Sequence, residues 1–208
     1  MYKMILILII ILLFLYLFSY NKKYYGDNYF KIHTYISSTD KDNDGIDDQS
    51  DILGNAIKYV NKKPKYKSKY YKGGYSDDGY GVCTDVVVTS LLNSGYDLRE
   101  LVNKDIINNK DRYNIEVIDK DIDFRRVRNL NVYFKYNHIV KTININKIED
   151  WHGGDIVVFN NHIGIISNRR NKRGIPLVIH HYSRFQINYI EDILEIRKRD
   201  IIGHYRVS

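Results

Sequence analysis

The stretch WHGGDIVVFNNHIGIIS, residues 151–167, holds two short apolar runs, 156–159 and 163–166, separated by Asn160, Asn161 and His162. Ile and Val are β-branched and Asn-Asn supplies turn chemistry, so the spacing predicts two antiparallel strands joined by a tight turn. Gly153 and Gly154 mark the bend into the first strand. His162 then stands at the mouth of the second strand, where a side chain can reach a cleft. Taken alone, a histidine in a turn is usually an exposed and idle residue.

Partners elsewhere in the chain change that weighting. The single cysteine, Cys83, lies in GYGVCTDVVVTSLLNSG, and a further strand-like run, 177–179, ends on His180 and His181. A cysteine followed much later by a strand-borne histidine and then another polar residue is the order of a papain-like site. The pieces DNDGIDDQSDIL, GYGVCTDV, DFRRVRNL, GGDIVVFNNHIGIIS, VIHH and IIGHYRV occur in order over most of the chain. From about Asp42 to the C-terminus the chain resembles the bacterial domain-of-unknown-function family numbered 1287, which itself resembles NlpC-type papain-like cysteine peptidases. That resemblance implies an α+β fold in which a helix starting at Cys83 packs on an antiparallel sheet carrying His162. It also implies Cys83 as nucleophile, His162 as base and His180 as the residue that orients the base, with His181 as the alternative. His180 and His181 point to opposite faces of a strand, so only one of them can meet His162.

Around Cys83 the local signals disagree. Val86, Val87 and Val88 favour a strand, whereas Leu91, Leu92 and the terminal Gly95 suit the end of a helix; the resemblance decides for a helix. A helix N-terminus carries partial positive charge and unpaired N–H groups. With an imidazolium beside it, such an end lowers a thiol from about 8.5 to between about 3.5 and 7.5, and the same N–H groups could hold an oxyanion. The plain alternative is a buried apolar cysteine. Asp85 reads as a cap or as an anchor for a neighbouring loop.

At 208 residues the chain suits one domain plus an appendage. Residues 1–20 read as a signal-anchor or transmembrane segment: no charge falls between Lys3 and Lys22, and residues 4–18 are almost wholly Ile, Leu and Phe. A helix of that length extends roughly 25 Å, a little short of a ~30 Å hydrocarbon core. No small-x-small cleavage site follows, so the expectation is a single-pass membrane protein with the domain outside, or a secreted one if the segment is cleaved. Residues 21–39 read as a linker, and residues 40–208 as the papain-like domain.

That domain opens on DKDNDGIDDQSD, residues 40–51. Oxygen ligands at loop positions one, three, five, seven, nine and twelve, with glycine at six, fit an EF-hand-like calcium loop. The ligands would be Asp40, Asp42, Asp44, the Ile46 carbonyl, Asp48 and Asp51, holding a structural Ca2+. A solvated acidic linker is the bland reading.

After Asp51, the apolar residues Ile52, Leu53, Ala56, Ile57 and Val60 predict a helix. Lysines and tyrosines interleaved over residues 61–75 predict a solvated surface. Further helical regions are expected over 96–109, around Phe124, Val127, Leu130 and Phe134, and over 189–198, with a closing strand over 201–207. Arg125, Arg126 and Arg128 read as an exposed basic face, and His138 and His152 as surface residues. The net charge of +7 favours an anionic partner such as peptidoglycan or another wall polymer, or a membrane surface. No recognition motif accompanies the lysines, so nucleic acid is not expected. The function expected from the resemblance is a cell-envelope cysteine hydrolase acting on peptide or amide bonds of peptidoglycan stem peptides, without a catalytic cofactor. Acyl or thioester transfer on the same nucleophile, and a non-catalytic membrane-tethered wall-binding module, are the alternatives.

Overall fold

The computed structural model describes residues 2–20 and 24–207, except the side chains of 15–20. The apolar N-terminal run forms a helix, α1 (Tyr2–Tyr20). Among the described residues, no helix is long and apolar enough to cross a membrane. The span expected over residues 1–20 lies partly outside them.

The expected linker is pinned to the fold at several points, with Asp27, Ile32 and Ser37 buried. Strand β1 (Tyr25–Gly26) pairs with β6 (His162–Arg170). Asp27 accepts a 2.5 Å hydrogen bond from Nε of the buried Arg170, whose remaining nitrogens donate to the carbonyls of Ile148, Gly174 and Trp151. A polar composition without strong periodicity gave no sign that a distant arginine would hold this segment down.

Four helices follow the pattern of apolar stripes. Helix α2 (Asp48–Asn61) starts three residues earlier than expected, because Asp47 caps it by accepting from Ser50 N–H. After the short parallel pair β2 (Lys65–Tyr66) and β3 (Tyr80–Gly81) comes α3 (Cys83–Leu92). Its three valines are wholly buried, so packing overrides their preference for strands. Helices α4 (Leu98–Asn108) and α5 (Val127–Asn137) complete the layer.

The antiparallel sheet runs in the order β4 (Ile139–Val140), β9 (Ile201–Arg206), β5 (Ile156–Phe159), β6, β7 (Pro176–Ile179) and β8 (Ile190–Glu191), with β1 also on β6. The predicted hairpin is β5–β6, with Phe159 opposite His162 across Asn160-Asn161. Both faces of the sheet are covered. Ile156, Val158, Ile163 and Ile165 pack with α2, α3, α4 and α5, whereas Val157, Phe159 and Ile166 pack with Trp151, Ile175, Leu194 and Ile201. That is why β5 reads as an unbroken apolar run instead of alternating. The architecture is a mixed α+β unit.

The helix expected over 189–198 does not form. Ile190 instead pairs with Ile179, and Glu191 with Val178, making an edge strand, and burial of Leu194 against the far face sets the path that follows.

Candidate active site

The site is built where α3 begins beside the start of β6. Val82 caps α3 with extended backbone, and its N–H donates to Asp85 Oδ2 at 2.8 Å. Asp85 is held in turn by a buried bidentate pair: Arg125 Nε donates to Oδ1 at 2.9 Å and Nη2 to Oδ2 at 2.8 Å. Arg125 Nη1 also donates to the Lys69 carbonyl. Asp85 is therefore both cap and anchor. Arg125 belongs to the interior, not to the exposed basic face expected of it. Its burial follows from Asp85, a partner 40 residues away in sequence that local patterning cannot supply.

Cys83 is the first residue of α3 and is partly exposed. Backbone N–H groups of Ile163 and Thr84 face its sulfur and favour the ionised form, but burial outweighs them and pushes the thiol up to about 11. The expected lowering does not occur: burial is the largest influence on the sulfur, and no cation of the described residues is among the main influences that offset it. His162, adjacent in sequence to that Ile163 N–H, is 3% exposed. Burial first, then the fields of His180, Arg197 and His181, lower its ring to about 3. At neutral pH thiol and imidazole are accordingly both uncharged.

His162 Nε2 lies 3.0 Å from His180 Nδ1, with the two rings edge to face at 87°. His180 Nε2 stands 3.2 Å from Glu191 Oε2. Gln186 Nε2 also approaches His180 Nε2, at 3.5 Å, so a carboxylate and an amide both face that nitrogen. With a proton on Nε2 alone, turned to Glu191, His180 accepts at Nδ1 from His162 Nε2, and His162 Nδ1 is then the bare, basic nitrogen. Gln186 steadies this arrangement by donating to Glu191 Oε2 at 3.0 Å and to the His180 carbonyl at 3.3 Å. Gln186 Oε1 accepts from Tyr182 N–H at 2.6 Å. The Tyr182 ring meets His162 edge-on, with centroids 5.5 Å apart.

Of the two candidate orienters, the structure brings His180 to His162. His181 turns to the opposite face between Tyr66 and Tyr189, and burial lowers it to about 4. Glu191 was missed by sequence reasoning because residues 189–198 read as a helix, and only pairing on the sheet edge brings it under His180. Beside the histidines, Tyr182, Ser183, Phe185, Gln186, Ile187, Asn188 and Glu191 line an open depression of about 340 Å³. Phe185 and Ile187 are strongly exposed there.

Of the other histidines, His33 is exposed, but His138 and His152 are half-buried and His204 is buried, so the surface places expected of His138 and His152 are not what they occupy. His138 packs among Tyr96, Tyr133 and Phe134. His152 is partly buried at the rim of a separate cavity of about 240 Å³, whose lining includes Gln49 and Asp27. His204 stacks on Trp151 at 3.7 Å and faces Asp155 Oδ2 at 3.0 Å. Arg206 donates to both oxygens of that same carboxylate. This buried cluster fastens β9 to the turn before β5 and lies apart from Cys83 in the described contacts.

In the acidic loop, Asp40, Asp42 and Asp44 come together, each offering an oxygen within 4.8 Å of the others. Asp48 does not join them. Its oxygens accept from Lys41 N–H, the Thr39 hydroxyl and the Tyr96 hydroxyl, because the early start of α2 turns position nine of the loop into the first helical turn.

Residues 53–207 match the family described as Domain of unknown function (DUF1287). The chain belongs to this family. It is also 33% identical over 152 residues to "Uncharacterized protein YijF" of Escherichia coli (strain K12), covering 69% of this chain and 72% of that protein. No solved structure matches the chain.

Proposed function

We propose that this chain is a cell-envelope cysteine hydrolase of papain-like, NlpC-type design that cleaves peptide or amide bonds, with peptidoglycan stem peptides as the substrate class. The observation that carries the reading is the run of contacts from Glu191 through His180 to His162, one residue from Ile163, whose N–H faces the Cys83 sulfur; with His180 donating to Glu191, His162 Nδ1 is left unprotonated. In the reaction, Cys83 Sγ attacks the carbonyl carbon as its proton passes to His162 Nδ1. The oxyanion collects on the free N–H groups at the start of α3. His162 then protonates the leaving amine, and a thioester remains on Cys83. A water deprotonated by His162 attacks that thioester and releases the carboxylic acid. His180 acts through His162, as a positioning residue.

The apolar run of residues 4–18 and the net charge of +7 support a setting at the membrane against an anionic wall polymer. A second reading, a non-catalytic wall-binding module, is favoured by one feature: the buried, protonated thiol. Incubating the full chain with purified wall fragments separates the two. Mass spectrometry is expected to find new amino and carboxyl termini with the wild type and none with Cys83→Ala. Binding of the fragments without new termini would overturn hydrolysis in favour of the module.

A further inference from the structure

The loop at residues 40–51 has three converging carboxylates, but convergence alone does not make a cation site. A second observation comes from Asp51, on the first turn of α2. This side chain is 6% exposed, and its Oδ2 has no hydrogen-bond partner among the described residues. Asp42 and Asp44 lie near enough for their charges to act on it. A buried carboxylate oxygen without a donor, with two further carboxylates nearby, is an arrangement that proteins rarely leave uncompensated. The surrounding backbone is already folded inward. Asp40 accepts from the N–H groups of Asp44 and Gly45, and Asn43 (φ 60°) and Gly45 (φ 91°) take the left-handed conformation.

We propose that Asp40, Asp42, Asp44 and Asp51, together with the Ile46 carbonyl, bind one Ca2+ that fastens the loop to the helix bearing Cys83. Oxygens sharing a calcium at 2.3–2.6 Å lie at most about 5 Å apart, which the three clustered carboxylates meet. Asp51 lies outside that cluster, and the cation draws it in. A loop of carboxylates and a carbonyl suits the adaptable shell of calcium better than the rigid octahedron of magnesium. Asp48 takes no part.

The connection to α3 is direct. Ser94, just past the end of α3, lies beside the Asp51 carboxyl, accepts from Asn55 of α2 at 3.0 Å and donates to the Ser90 carbonyl. Gly95 carries the loop on its surface, where an added Cβ would lie 3.1 Å from Asp42 N. The ion therefore ties the first turn of α2 to the far end of the cysteine helix. The four ligating residues precede the family-matched region, 53–207. The site stands independently of hydrolysis.

The test is thermal unfolding of the full chain in EDTA, in excess CaCl2 and in excess MgCl2, with calorimetric titration of the metal alone. At hundredfold excess over Kd, calcium is expected to raise Tm by about 5–10 °C, and magnesium by much less. Asp51→Asn and the exposed Asp42→Asn abolish the shift. Asp48→Asn lowers Tm with and without calcium but keeps the shift. Absence of heat and of any Tm change with calcium would overturn the proposal, as would an equal response to magnesium, or loss of the shift in Asp48→Asn but not in Asp51→Asn. None of these readouts involves catalysis, so they separate this proposal from the hydrolase reading.

Discussion

At the scale of residues, the site depends on which nitrogen of His162 is bare. In the proposed relay the choice is made two residues away: Glu191 accepts from His180 Nε2, His180 Nδ1 accepts from His162 Nε2, and His162 Nδ1 remains to take a proton. A glutamine at position 191 would offer an amide that can present either a donor or an acceptor to His180, so the direction of the relay would no longer be imposed. Burial keeps the thiol and the imidazole uncharged in the free protein. Proton transfer therefore accompanies attack on a substrate instead of preceding it. This differs from the thiolate expected at a helix end. The N–H groups are present as the sequence implied, but a field of partial charges in a dry pocket does not match the desolvation of a full one.

At the scale of elements, α3 is positioned from both ends. Its start is fixed by the Asp85–Arg125 pair, both side chains nearly inaccessible, and removing one partner of such a pair costs about 3–5 kcal/mol because the other charge is left buried. Arg125→Met is expected to lower stability by that amount in denaturant titration, and Arg125→Met/Asp85→Asn to recover part of it. A loss under 1 kcal/mol would mean that water reaches Asp85. The elements themselves were legible where periodicity or turn chemistry was strong: the β5–β6 hairpin, the stripe of α2 and the closing strand. The Asp85–Arg125 contact was not legible, since nothing local in DFRRVRNL separates an inward arginine from two outward ones. Residues 189–198 misled for a similar reason: Ile190, Leu194 and Ile193 serve different faces of a sheet edge while imitating a helical stripe. Gly164 shows the same limit. Its need for glycine comes from the neighbouring strand, where an added Cβ would meet Val178 Cγ1 at 2.6 Å and the Ile179 carbonyl at 2.8 Å.

At the scale of the whole molecule, the buried histidines make folding sensitive to acid. His162 and His181 have folded values of about 3 and about 4, against 6.5 for an unperturbed ring. Between those values and 6.5 the unfolded chain binds more protons than the folded one, so stability falls as pH falls. The loss is roughly 2 kcal/mol per ring between pH 6.5 and 5. Asp155, whose carboxyl is held below the usual range by Arg206 and His204 against its burial, adds its loss only below about pH 3.8. Chemical denaturation at pH 7 and pH 5 is therefore expected to show a clear drop at pH 5, smaller in His181→Gln. An unchanged midpoint would mean that the rings are solvated. The docking of the N-terminal segment through Asp27 and Arg170 belongs to this scale too. It joins a segment read as linker to a strand 143 residues later, a distance over which composition carries no information.

In the free protein Cys83 rests as a neutral thiol and His162 as a neutral imidazole, and the sulfur ionises only as it reacts. The rate of Cys83 alkylation by iodoacetamide between pH 5 and pH 10 tests it most directly, since the thiolate alone reacts. The account predicts a rate rising about tenfold per pH unit through pH 7, 8 and 9, with no plateau below pH 10. A rate already high at pH 6 and flat to pH 8 would reveal a standing thiolate–imidazolium pair and contradict it.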